Sequence, residues 1–224
     1  MTISRVGELF RTGKDILRQD GLICLVKRAS LFLVRLLFSC QIYYVYEKTL
    51  NETNEDKFIP KMQDFTLSIV SNPDQVKELM AKGFDINLDI GAEEAKRRLN
   101  EGAILFCVFL GLELAHTSWV AITSKAKMDP LPLAIDYQNE AYIENCVTVP
   151  QYRGLGLYPY TLCQLLQFLR AKDKTRAKIA TLKANTSSIR GITKAGFEIW
   201  GSKRLFKILL WKFWKEKQIK YVKH

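Results

Sequence analysis

The sequence predicts a mixed α/β (α+β) domain with a helical extension in front of it, and three observations carry that expectation. From Phe65 onward, short apolar runs of strand length alternate with segments that have helical start and stop signals. Glycine or proline stands at most of the junctions between them. Before Leu50 the pattern is different: helical periodicity, strong hydrophobicity and an excess of cations.

Taken in order, Phe65 to Val70 reads as a strand, and Pro73 to Lys82 as a helix with Asn72 as its N-cap. Ala92 to Glu101 suits a second helix. Gly102 opens a strand from Ile104 to Leu110, and Leu112 to Ile122 is its hairpin partner, turning at Gly111. Pro130 and Pro132 make Lys125 to Pro132 a loop. Ala141 to Val149 is a strand that stops at Pro150, and Leu157 to Ala171 is a helix. Lys178 to Lys183 is a strand, Thr186 to Ala195 a short helix, and Phe197 to Lys212 a final strand pair. No internal repeat is visible. These patterns divide the chain into an extension and linker over 1–60, a domain over 61–212, and a basic aromatic tail over 213–224.

The extension holds an amphipathic helix, Gly21 to Ser39. Lys27, Arg28, Arg35 and Ser39 fall on a narrow face, while Leu22, Ile23, Leu25, Val26, Phe32, Leu33, Leu36 and Leu37 take most of the rest. Such a helix can lie in a membrane interface with its cations toward the headgroups, or pack on the domain or on a second copy of the chain as a homo-oligomer. Tyr43, Tyr44 and Tyr46 follow it, and the polar run Asn51 to Lys57 reads as a linker. The tail sets lysines around Trp211, Phe213, Trp214 and Tyr221, a mixture favoured at a lipid headgroup layer.

Composition narrows the class. With 48% hydrophobic residues in 224 the chain can bury a sizeable core, and the net charge of +11 calls for an anionic partner. An anionic membrane surface fits both ends of the chain. Nucleic acid is the weaker choice, because only the lysine-rich tail supports it and no nucleic-acid motif accompanies it. Five scattered cysteines without a C-x-x-C pair argue for a reducing cytosol, so the expected location is cytoplasmic, peripheral on the inner face of the membrane. His116 and His224 have no second ligand near them in sequence, so no metal is expected. The first twenty residues lack an uninterrupted apolar region of the signal-peptide kind, and Leu31 to Phe38 is too short to span a bilayer.

The informative run is Glu144 to Leu157. A strand stops at Pro150, then Gly154 and Gly156 precede a helix. Glycines let a backbone approach a ligand closely, N–H groups at a helix start attract anions, and Arg153 adds a guanidinium for phosphate. The residues read as a pyrophosphate cradle. It is not a Walker loop, since no Gly-Lys-Ser/Thr follows, and it lacks the third glycine of a dinucleotide fingerprint.

Gln151-Tyr-Arg-Gly-Leu-Gly156 resembles the Q/R-x-x-G-x-G/A signature of the GNAT superfamily of N-acyltransferases, in a V-x-P-x-Y-R-G-x-G setting. Asn185-Thr-Ser-Ser188 and Lys194-Ala-Gly-Phe197 resemble that family's second motif, N-x-x-S followed by K-x-G-F, one helix and one strand later. The resemblance covers about two-thirds of the chain. It implies a mostly antiparallel central sheet flanked by helices, with acetyl-CoA or another acyl-CoA as co-substrate. The acyl group would pass directly to a small-molecule amine, such as an amino-sugar or a lipid-linked precursor. It also implies that a splayed strand with Val147 and Val149 binds the pantetheine arm through its backbone. A backbone N–H near Val147 would polarise the thioester carbonyl. Backbone N–H groups of Arg153, Gly154, Leu155, Gly156, Leu157 and Tyr158 would hold the pyrophosphate behind Gln151. Asn185 would contact pantetheine or the acceptor side, and Ser188 would begin the helix lining CoA. The family's tyrosine acid, seven residues past the asparagine, is replaced by Ile192, which leaves Tyr158 and Tyr160 as candidates. The alternative is an acyl-CoA-binding or membrane-associated interaction module without turnover.

Two further residues are candidates for proton transfer. Glu144, on the strand entering the cradle, could take a proton from an ammonium, or be a salt-bridged structural glutamate. His116 could be a base if it faces the cleft, or a hydrogen-bonded core histidine. Asp136 and Glu140 read as solvated, and Trp119, Tyr137 and Tyr142 as core or as an acceptor platform.

Overall fold

The computed structural model describes residues 38–50, 58–61, 64–126, 131–208 and 211–218, together with Ile23, Lys27 and Ser30. Its strands are β1 (Phe38–Thr49), β2 (Thr66–Val70), β3 (Ala103–Leu110), β4 (Glu113–Ala121), β5 (Glu140–Thr148), β6 (Arg176–Leu182), β7 (Glu198–Ile208) and β8 (Trp211–Gln218). Its helices are α1 (Pro73–Ala81), α2 (Ala92–Asn100), α3 (Leu157–Arg170) and α4 (Thr186–Lys194), with a 3-10 turn at Pro150–Tyr152. One sheet runs in the order β2-β3-β4-β5-β6-β1-β7-β8. β2 to β5 pair antiparallel with their neighbours, β5 pairs parallel with β6, and β1 pairs antiparallel with β6. The chain divides into two compact units, Met1–Gln41 with Arg204–Lys215, and Ile42–Lys203 with Glu216–His224.

In the larger unit, β3 is buried on both faces, so its residues divide by parity. Ile104 and Phe106 join Val120, Ile143, Leu162, Leu165, Leu166 and Ile192 in the core beneath α3 and α4. Leu105, Cys107 and Phe109 join Trp119, Ala121, Ala95 and Leu99 beneath α2. Each fully buried leucine or phenylalanine contributes about 2 kcal/mol of transfer free energy. Asn72 caps α1 by accepting the Gln75 N–H, as its position in the sequence predicts.

The structure departs from the sequence reading at both ends of the domain. The predicted helix Gly21 to Ser39 lies mostly outside the described residues; Ile23, Lys27 and Ser30 are helical, but Phe38 to Cys40 already belong to β1. Residues 42–49, assigned to the extension, are a sheet strand in register from Tyr43↔Leu182 to Thr49↔Arg176. Ile42, Tyr43, Tyr44, Val45 and Tyr46 have the β-branched and aromatic character that a strand favours. At the other end, 213–218 is not a tail but most of β8. The linker 51–57 and Tyr221 lie outside the described residues. No helix among the described residues is long and apolar enough to cross a membrane. Glu140, read as solvated, is buried and accepts hydrogen bonds or ion pairs from Lys178 Nζ at 2.7 Å and Arg176 Nε at 3.1 Å.

Candidate active site: a cleft where two strands part

The β5–β6 ladder is short. Pairing runs from Glu140↔Arg176 to Ile143↔Ile179 and stops, while β6 continues against β1 and β5 continues against β4. A bulge marks the parting. On β5, Asn145 and Cys146 stand against the single residue Ser118 of β4, and Asn145 takes a positive φ of 49°. Beyond it lies a cleft of about 820 Å³. Val147, Thr148, Gly154, Tyr158, Asn185 and Ser188 are among its walls.

The two-residue alternation of a ladder decides which backbone groups face this cleft. Val149 N–H donates to Ala115 O at 3.0 Å, and Val147 lies opposite Thr117 in the same register. The peptide groups of Val147 and Val149 are therefore turned to β4. Those of Thr148 and Cys146 are turned to the side that β6 has left. Thr148 O indeed accepts from Arg153 Nε at 3.2 Å. Of the two valines assigned to the pantetheine arm, Val149 has its N–H engaged by β4, and Val147 lines the cleft.

The start of α3 is built to leave donors unpaired. Gly156, its N-cap, is left-handed with φ 85°, and no side chain caps the helix. Phe58 packs so closely over Gly156 that a Cβ would lie 2.8 Å from its ring. The N–H groups of Gly154, Leu155, Gly156, Leu157 and Tyr158 donate to no described residue. Arg153 is the correction within this set, since its N–H donates to Pro150 O at 3.3 Å. Its guanidinium still lines the cleft, with Arg190 and Lys194 from α4. Arg190 was missed from the sequence and Lys194 was named only as part of the second motif, although their i, i+4 spacing on a short helix is a readable signal.

Asn185 caps α4, its Oδ1 accepting Ser188 N–H at 3.1 Å. Tyr158, in the first turn of α3, reaches Ser188 Oγ at 3.4 Å and lies beside the Cys146 thiol. It fits only because residue 191 is glycine; a Cβ there would collide with the Tyr158 ring. Burial pushes the Tyr158 phenol well above its ordinary range, so it keeps its proton. Burial likewise pushes Cys146 up to about 12. Tyr160, the other candidate, packs edge-on against Phe65 at 4.8 Å. Ile192 is in the core.

The other predicted residues are not among the walls of the cleft. His116 is fully buried, with Nδ1 2.7 Å from Thr148 Oγ1 and Nε2 2.8 Å from Ser118 Oγ. Burial pushes its pKa down to about 3, so it is a neutral core histidine and not a cleft base. Gln151 is exposed and reaches Glu113 instead. Leu155 packs inward with Val108, Ala115 and Leu157. Glu144 is buried opposite Trp119, on the α2 face of the sheet. Among the described residues no three His, Cys, Asp or Glu side chains converge as metal ligands.

No protein-family model matches the sequence, and no curated protein sequence matches it. Solved structures do. A GCN5-related N-acetyltransferase from Sphaerobacter thermophilus superposes with a TM-score of 0.52 at 13% identity, over 87% of this chain and 58% of that one. A GCN5-related N-acetyltransferase-like protein from Streptococcus suis gives 0.50 at 14% identity, over 84% of this chain and 67% of that one. This chain thus spans little more than half of the first protein's length. What such identities share is the fold, and the fold of this chain is the GNAT fold.

Proposed function

We propose that this GNAT fold works as an N-acyltransferase, moving an acetyl or other acyl group from acyl-CoA directly to an amine. The observation that carries the reading is the row of five unpaired N–H groups, Gly154 to Tyr158, at the uncapped start of α3. A pyrophosphate is the ligand such a row suits, with Arg153 beside it. Backbone groups of Thr148 and Cys146 suit the amides of the pantetheine arm, because no strand pairs them on the cleft side. Arg190 and Lys194 supply positive charge farther along the cleft.

The chemistry follows from these positions. The amine nitrogen attacks the thioester carbonyl carbon, a C–N bond forms, and the C–S bond breaks with its electron pair leaving on sulfur. Tyr158, held protonated by burial, gives the departing thiolate its proton. Ile192 stands where the resemblance expects a tyrosine, and Tyr158 enters the same region from α3. Glu144, two positions before Cys146, takes the first proton from the ammonium, and the second, lost after C–N bond formation, restores that of Tyr158.

The enzyme is read as cytoplasmic and peripheral to an anionic membrane face. On β8, Trp211 and Phe213 are 68% and 49% exposed, with rings 6.4 Å apart and nearly parallel, and the exposed Lys215 shares their parity. Co-sedimentation with phosphatidylglycerol vesicles, lost in a Trp211→Ser/Phe213→Ser variant and absent with phosphatidylcholine, is the expected result. Equal binding to both vesicles removes this part of the reading.

The main test is calorimetric binding of acetyl-CoA to the wild type, Gly154→Asp and Gly154→Asn. A Cβ at Gly154 meets open space, and its φ of 81° is one that Asn and Asp both tolerate. The two variants therefore differ mainly in charge. Binding lost in Asp and kept in Asn supports the cradle; wild type that binds no acyl-CoA overturns it. Binding without thiol release for any amine makes the chain an acyl-CoA-binding module.

A further inference from the structure

Six buried side-chain polar atoms among the described residues have no hydrogen-bond partner, and four of them belong to Arg98, Trp119, Tyr137 and Asn145. Trp119 and Tyr137 lie beside Glu144, Arg98 stands over Trp119, and Asn145 is the residue after Glu144. Trp119, with 0% exposure, lies opposite Glu144 in the β4–β5 register. The Arg98 guanidinium, only 12% exposed, donates through Nε to Glu94 at 2.8 Å, keeps Nη1 unpaired and stands 5.5 Å from the centre of the Trp119 ring. Tyr137 packs against the apolar cluster that contains Trp119. Burial, reinforced by the Glu144 charge, pushes its phenol up to about 12. Asn145 follows Glu144 at the bulge.

The chemistry of the orphans is one-sided. Arg98 Nη1, Trp119 Nε1 and Asn145 Nδ2 can only donate, and Tyr137 Oη donates as readily as it accepts. Buried donors of this kind are seldom left without an acceptor unless something else supplies one. A group with several anionic oxygens would satisfy Arg98 and Trp119 together, since a guanidinium grips a carboxylate with fixed geometry. Glu144 has the opposite preference and suits an ammonium. The residues that want an anion and the residue that wants a cation lie side by side, on the sheet face opposite the α3–α4 core and next to the bulge where the thioester would sit.

We propose that the acyl acceptor is a free amino acid, its carboxylate received by Arg98 and Trp119 Nε1 and its ammonium by Glu144. This rests on the acyl-transfer reading above. Glu144 removes one ammonium proton, the freed nitrogen attacks the thioester carbon, CoA leaves as the thiol with the proton from Tyr158, and the second proton lost by the nitrogen restores that of Tyr158. The product is an N-acylamino acid.

The experiment measures CoA thiol release by the full chain with acetyl-CoA. Each amino acid is set against its decarboxylated amine and against its carboxamide, and phosphoethanolamine is included. Acetyl-CoA binding is checked separately by calorimetry. The expected result is at least one amino acid whose kcat/KM exceeds those of its amine and amide by about tenfold or more, the value of one charge-assisted pair. Arg98→Gln should bring that ratio close to one while leaving acetyl-CoA affinity unchanged. Trp119→Phe keeps the ring and removes only Nε1, so it should lower the ratio even if Arg98→Gln fails to fold. Amines, amides or phosphoethanolamine used as well as amino acids, or acetyl-CoA bound with no amino acid acylated, overturn the acceptor assignment alone. Absence of acetyl-CoA binding overturns the acyl-transfer reading together with it.

Discussion

The helices that flank the cleft begin in opposite ways. α4 is closed by its own sequence, because Asn185 accepts the Ser188 N–H and Ser187 Oγ donates to the same amide oxygen at 2.9 Å. α3 begins on a left-handed glycine, with no capping side chain and no acidic residue in its first turn. The other two helices also manage their starts, α1 through Asn72 and α2 through Glu93 and Glu94 in its first turn. Of these four, α3 alone meets its positive end with neither a cap nor a carboxylate. A helix left this way keeps its N–H groups and its dipole for a ligand. The two neighbouring helices thus differ in what holds their starts: α4 is fixed by local bonds, and α3 leaves its first N–H groups without a partner among the described residues.

The largest effect should come from the open end. Tyr158→Phe is expected to lower kcat about a hundredfold, the usual range for loss of a positioned acid, with acetyl-CoA affinity nearly unchanged. A rate within twofold of wild type would move the acid elsewhere.

The next effect is on stability against pH, and it comes from beneath the same helix. His116, whose ring centre is 5.6 Å from that of Tyr158, has its pKa pushed by burial to about 3, against 6.5 for an unperturbed histidine. Between those values the unfolded chain binds a proton that the folded chain does not. Stability is therefore full above pH 6.5 and falls as pH drops below it, by about 1.4 kcal/mol per unit. Urea unfolding at several pH values should show this slope in the wild type and a shallower one in His116→Gln. Parallel slopes would mean that His116 is protonated in the fold.

The closed end should respond as a purely structural feature. Asn185→Ala is expected to cost about 1 kcal/mol, read as a fall in denaturation midpoint. Acetyl-CoA affinity should fall far less than in Gly154→Asp; an equal fall would show that Asn185 holds the ligand itself.

The smallest effect belongs to the pairs of Glu94 with the exposed Arg97 and the largely buried Arg98 on α2. Arg97 and Arg98 hydrogen-bond the Glu94 carboxylate and hold its pKa at about 2, yet the side chain is more than a third solvent-exposed. Glu94→Gln should therefore change stability by less than about 1 kcal/mol, measured by thermal melting.

The two helix starts also differ in how much the sequence discloses. Asn185 and the glycines at 154 and 156 are local signals, since a cap or a left-handed turn is decided by the residue that adopts it. The glycine turn into α3 was legible for that reason. Tyr158 could be named only as one of two tyrosines, because its direction depends on the missing Cβ of Gly191, on another helix. Which peptide groups of Val147 and Val149 face β4 could not be read from the sequence, because ladder parity follows from which residues of β4 they face. Glu144 and His116 were found as titratable groups on strands, but the face each one takes is set by the bulge at Asn145. β1 was missed altogether. Its partner is remote in sequence, so the strand had to be recognised from composition alone.

That remoteness matters for how the molecule is made. Val45 must find Ala180, and every residue between them has to be synthesised first. At ordinary translation rates β1 emerges on the order of ten seconds before the strand it will join. Through that interval its tyrosines and Val45 lack their native cover, a period in which a chaperone or a wrong strand edge can claim them. The long-range closure also raises the contact order, so the sheet should complete late and slowly, with folding limited by the return of β6 and not by the helices.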